Sequence, residues 1–156
     1  MFARGVTTLL LLSILSSNVR SEKLDCSNGR TCVYMKACKG QLSKDCPLAY
    51  SFKMDNGTLS LELAGYRPSG VNTYLAMGIG EEAGMSESKV SECSSIGKEQ
   101  SPTVKLSYNT PGDESVNVRI EQEPILRDSL VNSIEETYND GMIFCKWDQD
   151  VTGATN

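Results

Sequence analysis

The chain has 156 residues, of which 22% are charged and 6% aromatic, and its formal net charge is −5. This acidic balance argues against nucleic acid as a partner, because phosphate backbones are bound by clusters of Lys and Arg. The sequence contains no histidine, which excludes Ser-His-Asp and Cys-His nucleophilic catalysis and the HExxH metalloprotease motif.

The first predicted element is a targeting segment. Arg4 precedes the apolar run Val6–Leu15 and small residues follow, which is typical of a secretory signal peptide, and the run is too short to cross a bilayer. We place the signal peptide at residues 1–21, with cleavage after Ser21 favoured over cleavage after Ser17. Its removal leaves 135 residues with 13 basic and 20 acidic side chains, a net charge of −7. We therefore expect one secreted, extracellular domain with no transmembrane segment of its own.

Residues 22–47 form a cysteine-rich N-terminal lead without a clear period, which predicts an irregular segment held by disulfides. An even number of cysteines behind a secretion signal predicts three disulfides, with no choice among the fifteen possible pairings. A zinc site is not favoured, because no C-x-x-C spacing occurs. The six cysteines of the chain are Cys26, Cys32, Cys38, Cys46, Cys93 and Cys145.

Residues 48–148 carry short runs of alternating apolar and polar side chains, which predict antiparallel strands. Leu48–Met54 and Thr58–Tyr66 flank Asp55-Asn56-Gly57 and predict a hairpin. Pro111-Gly112-Asp113 predicts a second hairpin, whose facing residues would be Val104, Leu106 and Tyr108 on one strand and Val116, Val118 and Ile120 on the other. The remaining predicted strands are Thr73–Ile79, Ser88–Ser94, Thr103–Asn109, Ser115–Glu121 and Gly141–Trp147.

The segment Pro124–Tyr138 admits two interpretations. Its apolar residues fall loosely at helical spacing, whereas Asp128-Ser129 would divide two short strands. We favour strand, loop, strand. Seven or more short strands with almost no helical signal predict an all-β, antiparallel β-sandwich over residues 48–148, followed by a polar tail at residues 149–156.

Two short patterns concern the surface and the core. Asn56-Gly57-Thr58 is an N-glycosylation acceptor in a predicted turn, so the secreted protein is expected to carry a sugar at Asn56. Trp147 follows Cys145 by two residues and is predicted to pack in the core against a disulfide, as in immunoglobulin-type domains. The alternative is that aromatic side chains stack on a sugar or a partner surface; besides Trp147 these are Tyr66, Tyr74, Tyr108 and Tyr138.

The acidic groups do not predict a calcium site. Glu81-Glu82 with Glu87, and Asp148 with Asp150, fail to match the twelve-residue Ca²⁺ loop with its central Gly. Acidic side chains mostly remain exposed, so we interpret both groups as solvated surface.

Four features occur in a fixed order along the chain. The four-cysteine lead is followed by "LELAGY", then "YLAMGIGEEAGMSESKVSEC", then "DGMIFCKW". In this order they resemble the DOMON domain of ferric-chelate reductase 1-like (stromal cell-derived receptor 2-like) proteins, over about residues 26–148. The resemblance implies an extracellular, immunoglobulin-like antiparallel β-sandwich. Some DOMON domains resemble cytochromes that hold haem b between a Met and a His, and others are thought to bind sugars or to mediate contacts.

The same resemblance places Met85 at the position of the haem-ligating methionine. A thioether in a polar loop suits haem iron, but the sequence offers no imidazole as the second ligand, so Met77, Met142 or a lysine would have to serve. Ser86 and Glu87-Ser88 also depart from the Gly and the aspartate pair of the family. The favoured interpretation is that Met85 fills a gap under its loop.

The sequence thus predicts a secreted, disulfide-bridged, glycosylated module that binds an extracellular protein or glycan, or a separate membrane protein. We expect no enzymatic activity and no cofactor. The alternative is a haem b electron-transfer domain that uses Met85 and serves a ferric-chelate reductase-like system. A third interpretation is that the sequence is part of a longer reductase-like protein.

Overall fold

The structure, a computed structural model, describes residues 23–68, 71–79, 88–96, 101–112, 116–119 and 130–152. The strands in these ranges are β1 (Thr31–Tyr34), β2 (Ala49–Asp55), β3 (Thr58–Tyr66), β4 (Thr73–Ile79), β5 (Lys89–Ser95), β6 (Thr103–Asn109), β7 (Asn117–Arg119), β8 (Val131–Asn139) and β9 (Met142–Asp150). They form a five-stranded sheet, β1-β2-β3-β9-β8, and a four-stranded sheet, β4-β5-β6-β7. All pairings are antiparallel. The predicted disulfide-bridged, all-β sandwich is confirmed.

Two tight hairpins use residues that tolerate a positive φ. Asn56 (φ 46°) and Gly57 (φ 79°) join β2 to β3, and Asp140 (φ 46°) and Gly141 (φ 82°) join β8 to β9. Asn-Gly and Asp-Gly suit two-residue turns whose twist matches that of the flanking strands. The predicted β2–β3 hairpin is therefore confirmed, with Asn56 exposed at its tip.

The other predicted strands agree with the structure to within their ends. In the second predicted hairpin, β6 pairs with β7 and Tyr108 faces Val118, whereas Val116 precedes β7 and its carbonyl accepts from Thr110; Ile120 lies outside the described residues. Of the segment Pro124–Tyr138, the second predicted strand is confirmed as Val131–Asn139, and residues 124–129 lie outside the described ranges. Strand β9 continues to Asp150, two residues past the predicted end of the sandwich.

The N-terminal lead is more regular than its sequence predicts. Thr31–Tyr34 forms β1 and pairs with β2, so the prediction of a wholly irregular lead is wrong. A four-residue strand is too short to show a period, and its residues Thr, Cys, Val and Tyr are the only signal. The lead also adds apolar side chains to the outward side of the five-stranded sheet, in a cluster of Leu24, Cys38, Cys46, Ala49, Ala64 and Phe144.

All six cysteines are paired, which confirms the predicted three disulfides and resolves their connectivity. Cys26–Cys32 and Cys38–Cys46 close short loops within the lead. Cys93–Cys145 joins β5 to β9 and so connects the two sheets. Trp147 is fully buried in the same core cluster as this disulfide, as predicted.

Three contacts fix how the sheets lie on each other. The side chain of Leu75 in β4 packs over Gly65 in β3, where an added Cβ would come within 3.0 Å of it. The disulfide places β5 over β9. The backbone N–H of Val104 in β6 donates to Glu136 Oε1 in β8 at 2.9 Å. The strands of the two sheets are therefore aligned, and β1 and β2 extend beyond β4.

Candidate binding surface

A ledge lies beside β4, where β1 and β2 extend past the four-stranded sheet. We call it the β1–β2 ledge and define it by the inward-facing residues Val33, Tyr50, Phe52 and Met54. Tyr50, Phe52 and Met54 lie opposite core leucines of β3, so their side chains face inward. Val33 lies opposite Tyr50 and faces the same way. The rings of Tyr50 and Phe52 stack at 6.3 Å, and Met54 is 54% exposed. The ledge is thus an apolar, partly open continuation of the core.

The edge of β4 borders this ledge. In the part of the chain that the structure describes, β4 pairs with β5 on one side only. Its sequence, TYLAMGI, has no charged residue and no proline. Charges, prolines, bulges and short length are the features that normally prevent an edge strand from pairing with another chain, and β4 has none of them.

The three other edge strands of the described sheets do carry such features. Strands β1 and β7 have four and three residues. Strand β8 is longer, but it contains Glu135 and Glu136 and a register shift at Ser133/Glu135. The edge of β4 is therefore the one best suited to receive a further strand.

The outward side of β4 presents a large aromatic residue. Tyr74 is 63% exposed and lies opposite Ser94 of β5. Among the described residues, Ser94 Oγ is the buried side-chain polar atom that has no hydrogen-bond partner. Leaving such a group unsatisfied costs about 1–3 kcal/mol.

A polar network crosses the outward face of the four-stranded sheet. The buried Glu92 accepts a hydrogen bond from Ser107 Oγ at 2.6 Å and pairs with Arg119 at 3.5 Å. Asn117 Nδ2 donates to Ser107 Oγ at 2.8 Å. The network therefore connects β5, β6 and β7 within one sheet.

A second buried glutamate, Glu62, lies on the outward face of the five-stranded sheet. Lys146 Nζ is 3.0 Å from Glu62 Oε1, and Arg30 is 3.9 Å away. Glu62 Oε2 accepts hydrogen bonds from Ser51 Oγ and from the backbone N–H of Asp25, both at 2.8 Å. This carboxylate therefore holds the lead against the sheet.

The described residues give these carboxylates structural rather than chemical roles. Both oxygens of Glu62 and of Glu92 are occupied by the contacts above. Within the described ranges, no group of three or more His, Cys, Asp or Glu is arranged to hold a metal ion. Asp148 accepts a hydrogen bond from Ser60 Oγ, and Asp150 from Thr152.

The residues that would hold a haem are not brought together by the described structure. Met85, with Glu81, Glu82 and Glu87, lies outside the described residues. Met77 is half-buried against the inter-sheet core, and Met142 lies on the other sheet in β9. Because the chain has no histidine, the described residues do not fit the Met–His ligand set that the DOMON resemblance implies.

Among the predicted stacking residues, Tyr66 and Tyr138 are half-buried, and Arg67 lies 5.4 Å from the ring centre of Tyr138. Tyr108 is 43% exposed, so Tyr74 is the most exposed of the four. Sequence reasoning missed the ledge, because the relative widths of two sheets cannot be read from strand patterns. The uncharged run TYLAMGI was the available signal.

No protein-family model, curated protein or solved structure matches this chain. No helix in the described ranges is long and apolar enough to cross a membrane.

Proposed function

We propose that this protein is an extracellular, DOMON-type binding module that docks a partner protein through the β4 side of its sandwich and carries out no chemistry itself. The observation that carries the proposal is the offset of the two sheets, in which β4 lies over β3 and both β1 and β2 extend past it. It leaves an apolar ledge next to an uncharged strand edge. Exposed apolar surface adjoining a core is a common feature of protein interaction sites.

Two further observations support this proposal. Three disulfides suit an oxidising, extracellular compartment. Tyr74 adds an exposed aromatic ring on the outward side of the same strand, and aromatic residues are enriched at interfaces. Together with the ledge, Tyr74 gives β4 exposed apolar surface on both of its sides.

A pair of engineered glycans tests the location of the site. Tyr74→Thr creates an acceptor at the exposed Asn72, directly before β4. Ile134→Thr creates one at the exposed Asn132, in β8 on the opposite side of the sandwich. Each protein is secreted from a glycosylating host, labelled, and applied to intact cells and extracellular matrix. We expect the sugar at Asn72 to abolish retention and the sugar at Asn132 to leave it unchanged.

A third variant separates the bulk of the sugar from the loss of the tyrosine ring. Tyr74→Val removes the ring without creating an acceptor, and it should reduce retention less than Tyr74→Thr. Equal retention of all four proteins, or loss of retention in Ile134→Thr alone, would contradict the proposed site.

Haemin titration tests the absence of haem chemistry. We expect the secreted protein to cause no shift or sharpening of the Soret band of added haemin, because no imidazole is available as an axial ligand. A stoichiometric shift of the Soret band that is lost in Met85→Ala would replace the binding function with haem b electron transfer.

A further inference from the structure

We propose that the β4 edge and the β1–β2 ledge receive an extended, uncharged segment of the partner, which adds to the four-stranded sheet as a fifth strand. This inference rests on the proposed binding function and specifies the form of the partner.

Within the described ranges of the chain, the ledge has room for one or two strands. Strands β1 and β2 extend past β4 by two strand spacings, about 10 Å in total. Strand β4 has seven residues, which corresponds to a length of about 23 Å. A fifth strand beside β4 would lie over β2 and give both sheets the same number of strands.

The register of the sheets indicates which side chains would meet the added strand. The inward-facing residues of β4 are Leu75, Met77 and Ile79. Leu75 lies opposite Cys93, which is bonded to Cys145 in the other sheet. Across that sheet, Cys145 lies opposite Leu63, and Leu63 lies opposite Tyr50. Inward side chains of an added strand would therefore contact the ledge residues Tyr50, Phe52 and Met54.

The lining determines the chemistry of the segment. The four ledge residues and all seven residues of β4 are uncharged. A charged inward side chain would lose its hydration without gaining a counter-ion from these residues. The segment should therefore have apolar residues at alternate positions, while main-chain hydrogen bonds to β4 supply affinity regardless of sequence.

A second copy of this chain does not fit the site. Antiparallel pairing of two β4 strands places both five-stranded sheets on the same side of the combined sheet. The overhanging β1 and β2 of each copy would then overlap with those of the other.

A synthetic peptide tests strand addition on the full secreted protein. The probe is the fluorescently labelled heptapeptide Thr-Val-Ser-Ile-Thr-Val-Ser, whose three apolar residues alternate with hydroxyl residues. The first comparator has the same composition with its apolar residues adjacent, and the second has Lys in place of the central Ile. By fluorescence anisotropy, we expect the probe to bind at least about tenfold more tightly than either comparator.

Matched lysine substitutions locate the peptide. Met54→Lys places a charge on the ledge, whereas Ile134→Lys places one on β8 at a similar exposure, 51% compared with 54%. We expect Met54→Lys to weaken peptide binding about tenfold and Ile134→Lys to leave it unchanged. Amide hydrogen exchange should show peptide-dependent protection in β4 and none in β8, and it reports whether each variant keeps the fold.

Several outcomes would overturn strand addition: no probe binding at millimolar peptide, equal binding of the adjacent-residue comparator, an equal effect of Ile134→Lys, or protection in β8 instead of β4. If the sugar at Asn72 removes cell or matrix retention while no peptide binds, strand addition is wrong and the proposed function stands. If the wild-type protein is not retained at all, the proposed function itself fails.

Discussion

The outward faces of the two sheets each contain a buried glutamate, but the two carboxylates connect different parts of the molecule. Glu62 joins the N-terminal lead to the five-stranded sheet through the backbone of Asp25 and the side chain of Arg30. Glu92 joins strands of the four-stranded sheet to one another through Ser107 and Arg119. A buried carboxylate with several partners thus anchors an added layer in one case and fixes neighbouring strands in the other.

The β4 side differs from both outward faces in the kind of surface that it offers a partner. On both outward faces, the buried carboxylates are satisfied by the chain's own atoms. On the β4 side, the apolar ledge and an uncharged strand edge adjoin each other. A partner gains more by covering apolar area and completing a sheet than by replacing satisfied polar contacts.

The largest expected difference between the faces follows removal of the glutamates. Glu62→Ala leaves Arg30 and Lys146 without their carboxylate, and the side chain of Arg30 is only 8% exposed. We expect a loss of about 3–5 kcal/mol in the free energy of unfolding, as for other broken buried pairs. Chemical denaturation measures this loss.

Glu92→Ala is the matched control on the other face. Arg119 has a side chain that is 41% exposed and can turn to solvent, so we expect a smaller loss, about 1–3 kcal/mol. Hydrogen exchange should show that Glu62→Ala exposes β1 whereas Glu92→Ala exposes β7. A larger loss for Glu92→Ala would reverse the assigned roles.

Three serine hydroxyls on these two faces test individual hydrogen bonds. Ser51→Ala and Ser107→Ala each remove a hydroxyl that donates to a buried glutamate, and we expect losses of about 1.5–3 kcal/mol. Ser94→Ala removes a buried hydroxyl that has no hydrogen-bond partner among the described residues, so the free energy of unfolding should stay the same or rise. Destabilisation by Ser94→Ala equal to that by Ser107→Ala would contradict this interpretation.

The smallest expected effect concerns Asp25 in the lead. Hydrogen bonds from the hydroxyl and the backbone N–H of Ser27 hold the pKa of the Asp25 carboxyl below its ordinary value of 3.8. Because the folded-state pKa is lowered, the associated stability is present above pH 3.8 and is lost as the pH falls through the folded-state pKa. An NMR titration should show this low pKa, and Ser27→Ala should return it towards 3.8.

Much of the fold could be predicted because its signals are local. Alternation in Thr58–Tyr66 and Thr103–Asn109, and the Asn56-Gly57 turn, each depend on neighbouring residues alone. The number of disulfides followed from an even cysteine count. Their pairing did not, because it depends on which strands face each other across the sandwich.

The candidate site could not be predicted from local signals. The ledge exists because one sheet has five described strands and the other four, and because Leu75 packs over Gly65 rather than over β2. Both facts concern sheet-on-sheet alignment. Strand β1, which widens the five-stranded sheet, lies in the cysteine-rich lead. Its run of four β-favouring residues is too short to predict a strand there.

The bond between Cys93 and Cys145 has a mechanical consequence. It joins β5, in the interior of one sheet, to β9, in the interior of the other. Tension applied to a strand docked on β4 would pass through β5 and across this covalent link into the five-stranded sheet. The two layers would bear such a load as one body, and under reducing conditions their separation would be resisted by side-chain packing and by hydrogen bonds such as that from Val104 N–H to Glu136.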